Sequence, residues 1–145
     1  MRASPDGAAE LDLDRLEADY AAGARAHVLC SPHNPTGSVP SRAELTAVAA
    51  LAGRYGVRVI ADEVHAPLTA PDVRHVPYLT VPGAGSGFSL VSASKAWNLA
   101  GLTCALLVAG DDAVDDVARI PPEVRYGTGL LGVLAGEAAF RDGEA

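Results

Sequence analysis

Hydrophobic and polar positions follow two rhythms along this chain. Between Leu11 and Ala22, Leu13, Leu16 and Tyr20 recur at helical spacing on an acidic background, and Gly23 supplies a stop. "AHVLCS" (Ala26–Ser31) is a short apolar run that predicts a strand. "PHNPTGSVP" follows, with three prolines and a glycine, and predicts a loop. Ser41 then opens a helix, because Glu44 completes a capping-box signature. Leu45, Val48, Ala49 and Ala52 form its apolar stripe and Gly56 lies just past its end. "VRVIAD" (Val57–Asp62), "FSLVSAS" (Phe88–Ser94) and "TCALLVAG" (Thr103–Gly110) read as three further strands, and the first is too apolar for one of its faces to be fully solvated. Asp111–Arg119 and Gly129–Phe140 read as helices, with "IPPE" between them.

Strands alternating with helices, the strands being apolar enough to be buried, predict an α/β fold: a mostly parallel sheet flanked by helices. Ligands of such sheets gather at the carboxyl ends of the strands. Three residues of distinct chemistry fall at three predicted strand exits: Asn34, Asp62 and Lys95. A common crevice for the three is the expectation.

Composition narrows the function. A chain of 145 residues with 49% hydrophobic content suits one domain with a core. No apolar run reaches the roughly 20 residues of a membrane span. The acidic start, "MRASPDGAAELDLD", has no apolar segment of the secretory kind. A net charge of −7 disfavours nucleic acid and anionic lipid as partners. Cys30 and Cys104 stand alone in apolar runs and are expected as buried small hydrophobes in a reducing, cytoplasmic setting.

Lys95 is the sole lysine in the sequence. A GC-rich coding bias, which also suits the abundance of Ala, Arg and Gly, is its bland explanation. "DEVH" imitates a helicase box, but the phosphate-binding GxxxxGK[ST] loop is missing from the sequence. His33, Asp62 and His65 lack ligand-grade spacing, so no metal is expected. "GAGSG" (Gly83–Gly87) precedes a strand and reads as a turn. Asp62 and Glu63 have the ordinary reading of strand-end carboxylates, and Glu63 is expected to remain structural.

The chemistry open to a Lys, an Asp and an Asn together is more specific. A lysine desolvated at a strand exit gives up its proton readily and attacks a carbonyl to form a Schiff base. Pyridoxal phosphate needs such a lysine and a carboxylate facing its pyridine nitrogen. An Asn can donate to the ring's phenolic oxygen, and serine hydroxyls beside the lysine can hold a phosphate.

"SPHNPTG", "VIADEVH" and "SASKAWNLAGL", in this order, resemble the large domain of fold-type I pyridoxal-phosphate enzymes, the class I/II aminotransferase superfamily. The resemblance implies pyridoxal 5′-phosphate as cofactor, with Lys95 as the Schiff-base lysine and proton shuttle. It further implies Asp62 as partner of the pyridinium, Asn34 as contact to the phenolic oxygen, and Ser92 and Ser94 as phosphate contacts. A cis peptide at Asn34–Pro35 is also implied.

Two departures refine the subclass. Where typical aminotransferases carry Tyr after the Asp and Arg after the lysine, this chain has His65 and Thr103. With "KAWNLAGL" and "AAFRDG", these resemble the cystathionine β-lyase (carbon–sulfur lyase) branch, and His65 is expected to line the cofactor site. That branch removes the α-proton of a small sulfur amino acid and eliminates a thiol, leaving pyruvate and ammonia. An aminotransferase is the alternative. Relatives of this kind are homodimers with a phosphate loop upstream and a smaller C-terminal domain. Residues 1–145 are therefore expected to be part of the large domain, with both those parts outside it, and inactive by themselves; a non-catalytic gene remnant is a further alternative.

Overall fold

The computed structural model describes residues 1–3 and 9–143. A small antiparallel pair, β1 (Arg2–Ala3) and β2 (Ala9–Glu10), precedes helix α1 (Leu13–Ala21). The Asp12 carboxylate accepts the Arg15 N–H at 3.0 Å and caps α1, so the helix begins inside the predicted Leu11–Ala22 span. Gly23, at φ +106°, takes the left-handed turn that ends it. Tyr20 is buried, and Leu13 and Leu16 pack beside it.

Strand β3 (Ala26–Cys30) leads through the proline-rich loop to α2 (Arg42–Tyr55). The predicted capping box is formed: the Ser41 N–H donates to Glu44 Oε2 at 2.8 Å, and the Glu44 N–H donates to the Ser41 hydroxyl at 3.2 Å. Gly56 closes the helix at φ +66°. Leu45, Val48, Ala49 and Ala52 are all buried, as the stripe predicted.

Strands β4 (Arg58–Asp62), β5 (Phe88–Val91) and β6 (Leu106–Ala109) complete a four-stranded sheet in the order β3-β4-β5-β6. β3, β4 and β5 are parallel, and β6 runs antiparallel to β5. The core lies where α1 and α2 cover one face: Leu29, Val59 and Ala61 point into it and meet Leu45, Val48 and Tyr20.

Several elements are shorter than expected. β5 stops at Val91 rather than Ser94, because the Ser92 hydroxyl bonds out of the ladder to the Cys104 carbonyl. β6 begins at Leu106 rather than Thr103, because Thr103 sits at φ +44° in the left-handed region. The span Asp111–Arg119 divides into a 3₁₀ turn, Asp111–Ala113, and a short helix α3 (Val114–Val117). After it come α4 (Glu123–Tyr126) and α5 (Leu130–Asp142). The expectation of buried strands fails for β6: Leu106, Leu107 and Val108 are 56%, 39% and 44% exposed, on both faces of an edge strand that the core over β3 and β4 does not include, and Val28 of β3 is 65% exposed. Cys30 and Cys104 are half-buried free thiols rather than core residues. Among the described residues no helix is long and apolar enough to cross a membrane.

Candidate functional site

The parallel register sets the geometry of the site. Cys30, Asp62 and Leu90 lie side by side across β3, β4 and β5, so all three strands end on the same edge of the sheet. The Ser31 N–H donates to the Asp62 carbonyl and the Glu63 N–H to the Leu90 carbonyl, each at 3.0 Å, carrying the ladder one step past the strands. Asn34, Asp62 and Lys95 therefore emerge from one edge, as their positions after predicted strands implied.

The loop after β3 is held by its own bonds. The His33 N–H donates to the Ser38 carbonyl and the Gly37 N–H to the His33 carbonyl, both at 2.8 Å, with Gly37 at φ +70°. The Asn34 N–H donates to Cys30 Sγ at 3.4 Å. The peptide bonds Ser31–Pro32 and Asn34–Pro35 are both cis, the second as the family resemblance implied. Asn34 is exposed and shares a cavity of about 560 Å³ with His65, which caps the 3₁₀ turn Ala66–Leu68. His65 Nδ1 is buried and has no hydrogen-bond partner among the described residues.

Ser92 and Ser94 line a second cavity of about 620 Å³, between the β5 exit, Cys104 and α5. Ser92 is buried; its hydroxyl donates to the Cys104 carbonyl at 2.7 Å and accepts the Ser94 N–H at 3.1 Å. A hydroxyl has one proton to give, so Ser92 is committed while the Ser94 hydroxyl is not. Asp62 is half-buried, and its Oδ1 accepts the Val64 N–H at 3.4 Å. Lys95 is exposed and forms no ion pair among the described residues.

The expectation of a crevice common to Asn34, Asp62 and Lys95 is not met by these cavities, although the three leave one edge of the sheet. Asn34 and His65 share one cavity, Ser92 and Ser94 another, and neither Asp62 nor Lys95 lines either. Sequence reasoning also missed how far Glu63 is built into the exit of β4. Its carboxylate is 3% exposed and accepts both the Tyr78 N–H, at 2.7 Å, and the Ser89 hydroxyl. The available signal was Ser89, one polar residue in an apolar strand, which needs a partner if buried.

A mostly parallel sheet with an amine, a carboxylate and an amide along its carboxyl edge is a ligand-binding α/β architecture. A model of the family "Aminotransferase class I and II" matches residues 2–137, and the chain belongs to that family. It is 50% identical over 145 residues to a Mycobacterium tuberculosis protein assigned by inference as a cystathionine β-lyase, covering 94% of this chain and 36% of that relative. The cystathionine β-lyase of Corynebacterium glutamicum is 34% identical over 137 residues, covering 93% of this chain and 37% of its own. The crystal structure of a Corynebacterium diphtheriae β-cystathionase, assigned by inference as pyridoxal-phosphate-dependent, matches with a TM-score of 0.85 and 38% identity, covering 92% of this chain and 36% of that one. The chain spans a little over a third of the length of these relatives.

Proposed function

We propose that this chain provides the cofactor-holding sheet edge of a pyridoxal 5′-phosphate-dependent carbon–sulfur β-lyase acting on a small sulfur amino acid of the cystathionine type. The observation that carries the reading is the register of Cys30, Asp62 and Leu90, which brings the exits bearing Asn34, Asp62 and Lys95 to one edge. Relatives named for cystathionine cleavage support the choice of reaction. Residues 1–145 are read as part of a large domain, and the activity is proposed for the polypeptide in which they work with the rest of it.

The residue types suit this cofactor, while the cavities place Asn34 apart from Ser92 and Ser94. The chain's one primary side-chain amine, on Lys95, is exposed rather than desolvated and forms no ion pair among the described residues. His65, whose buried Nδ1 has no hydrogen-bond partner among the described residues, lines the same cavity as Asn34. Asn34 and His65 would meet the phenolic oxygen, and Asp62 the pyridine nitrogen. Ser94, with Ser92 once it turns from Cys104, would hold the phosphate. When bound, the cofactor supplies a sink for the electron pair left as Cα loses its proton. Lys95 would supply the amine that holds the cofactor and the base that moves the Cα proton. Asp62 would keep the ring nitrogen protonated by its charge. The overall reaction proposed is loss of a thiol from Cβ of the substrate, with hydrolysis of the remainder to pyruvate and ammonia.

The test uses the lone lysine. Purified chain is mixed with pyridoxal phosphate, reduced with borohydride and mapped by mass spectrometry. One reduced cofactor on Lys95, absent in Lys95→Arg, supports the reading; unmodified Lys95 overturns cofactor binding and favours an inert remnant. Release of pyruvate from cystathionine by a polypeptide containing this segment marks the lyase, whereas amino transfer dependent on an α-keto acid marks an aminotransferase.

A further inference from the structure

We infer that Glu63 is a positioning residue for this site: its buried carboxylate ties the end of β4 to β5 and to the loop at Tyr78, and so sets where Asp62 and Lys95 stand relative to each other. The inference rests on the proposed function for what is positioned, and on the structure for how.

Successive residues of a strand point to opposite faces. Asp62 and Glu63 are neighbours, so an Asp62 turned toward a ligand leaves Glu63 turned into the protein. There Glu63 is 3% exposed and meets two separate segments, the loop carrying His75 and Tyr78 and the strand β5. Oε1 accepts the Tyr78 N–H at 2.7 Å, anchoring the end of the loop that follows His65. Oε2 accepts the hydroxyl of Ser89, which is itself buried in β5 on the strand that runs out to Ser92, Ser94 and Lys95. His75 Nε2 lies 3.8 Å from Oε1, on the same loop as Tyr78. The Glu63 backbone completes the clamp, because its N–H donates to the Leu90 carbonyl while the neighbouring Asp62 carbonyl accepts the Ser31 N–H.

A buried carboxylate with one fully apolar replacement open to it is a costly way to fill space. Its two donors come from different segments, which is what a part that fixes relative position requires. Glu63 touches no group assigned to the cofactor, so it acts through Asp62 and β5 alone.

The conservative variant separates this role from simple packing. Glu63→Gln keeps an oxygen for the Tyr78 N–H and turns an amide NH2 toward Ser89, whose hydroxyl oxygen then accepts, whereas Glu63→Ala leaves both the Tyr78 N–H and the Ser89 hydroxyl unpaired. Two measurements are made on each: yield of the Lys95 adduct against pyridoxal phosphate concentration, and amide hydrogen exchange. Glu63→Gln is expected to stay within about threefold of the unsubstituted chain in apparent affinity, and Glu63→Ala to lose about tenfold or more. In Glu63→Ala the Ser31 and Glu63 amides should exchange about tenfold faster while those of Leu45 to Ala52 in α2 are unchanged. Should Glu63→Ala fail to fold, Ser89→Ala removes one donor and must give the same pattern in smaller degree.

The inference is overturned if the exit amides and the adduct are unaffected by Glu63→Ala, or if α2 loosens in step with them, which marks a merely structural role. If the unsubstituted chain forms no adduct, the proposed function fails. Positioning is then decided by exchange alone, with protected exit amides in Glu63→Gln and unprotected ones in Glu63→Ala required.

Discussion

The Ser92 hydroxyl donates to the Cys104 carbonyl at 2.7 Å, joining the exit of β5 to the segment that enters β6. The same oxygen accepts the Ser94 N–H at 3.1 Å, so one side chain shapes the turn that delivers Lys95. Ser92→Ala leaves a carbonyl and an N–H without their partner. Denaturant unfolding should show a loss of about 1–3 kcal/mol. Ser94→Ala should leave stability within about 0.5 kcal/mol and weaken the cofactor adduct instead.

Asp62 tests the electrostatic part of the proposed chemistry. Asp62→Asn removes a charge at the end of β4 but keeps the shape, and its Oδ1 can still accept from Val64. The Lys95 adduct should still form. Exchange of the substrate α-proton, followed by NMR in the enzyme containing this segment, should fall by roughly a hundredfold.

Stability should respond to pH through His27. Burial holds its pKa below the usual 6.5, and its Nδ1 lies 2.6 Å from the Tyr20 hydroxyl. Burial also pushes the Tyr20 hydroxyl up to about 12, so it keeps its proton and donates to a neutral imidazole. Between the depressed folded value and 6.5 the unfolded chain binds more protons than the folded one. Stability therefore rises with pH through that window and falls as acid is added. His75 is shifted in the same direction, mainly by burial and against the opposing charge of Glu63. Replacing one histidine, as in His27→Gln, should flatten the slope of unfolding free energy against pH without abolishing it.

Thr103 is β-branched and holds φ +44° and ψ 64° where the chain turns into β6. That conformation is strained for a residue with a Cβ and free for glycine. Thr103→Gly should raise unfolding free energy by about 1 kcal/mol, read as a higher denaturation midpoint.

Gly110 behaves in the opposite way. Its φ of −68° suits any residue, but an added Cβ would lie 3.0 Å from Gly85 Cα and overlap the Gly85 carbonyl. Backbone cannot yield as a flexible side chain can. Gly110→Ala should cost about 2–4 kcal/mol, measured by thermal or denaturant unfolding.

Local signals account for what was legible in the sequence. The Ser41–Glu44 box and the stripe from Leu45 to Ala52 defined α2, because capping and helical periodicity act within a few residues. The exits at Asn34, Asp62 and Lys95 were legible because each lies at or after the end of an apolar run that read as a strand. The Glu63 clamp was not, since Tyr78 and Ser89 lie far from it along the chain and no spacing links them. The exposure of Leu106, Leu107 and Val108 was equally hidden, because hydropathy records what a residue prefers and not which strand lies at the edge of the sheet beyond the core.

By itself, then, the order of residues determined α1, α2 and α5, the approximate strands and the types of reactive side chain that follow them. Only the tertiary structure decided that β6 runs against β5, that Ser92 spends its proton on Cys104, and that Glu63 rather than Asp62 faces inward. The physical reason is range: turns and helices form from neighbours, whereas strand direction and burial depend on partners that meet only when the sheet closes.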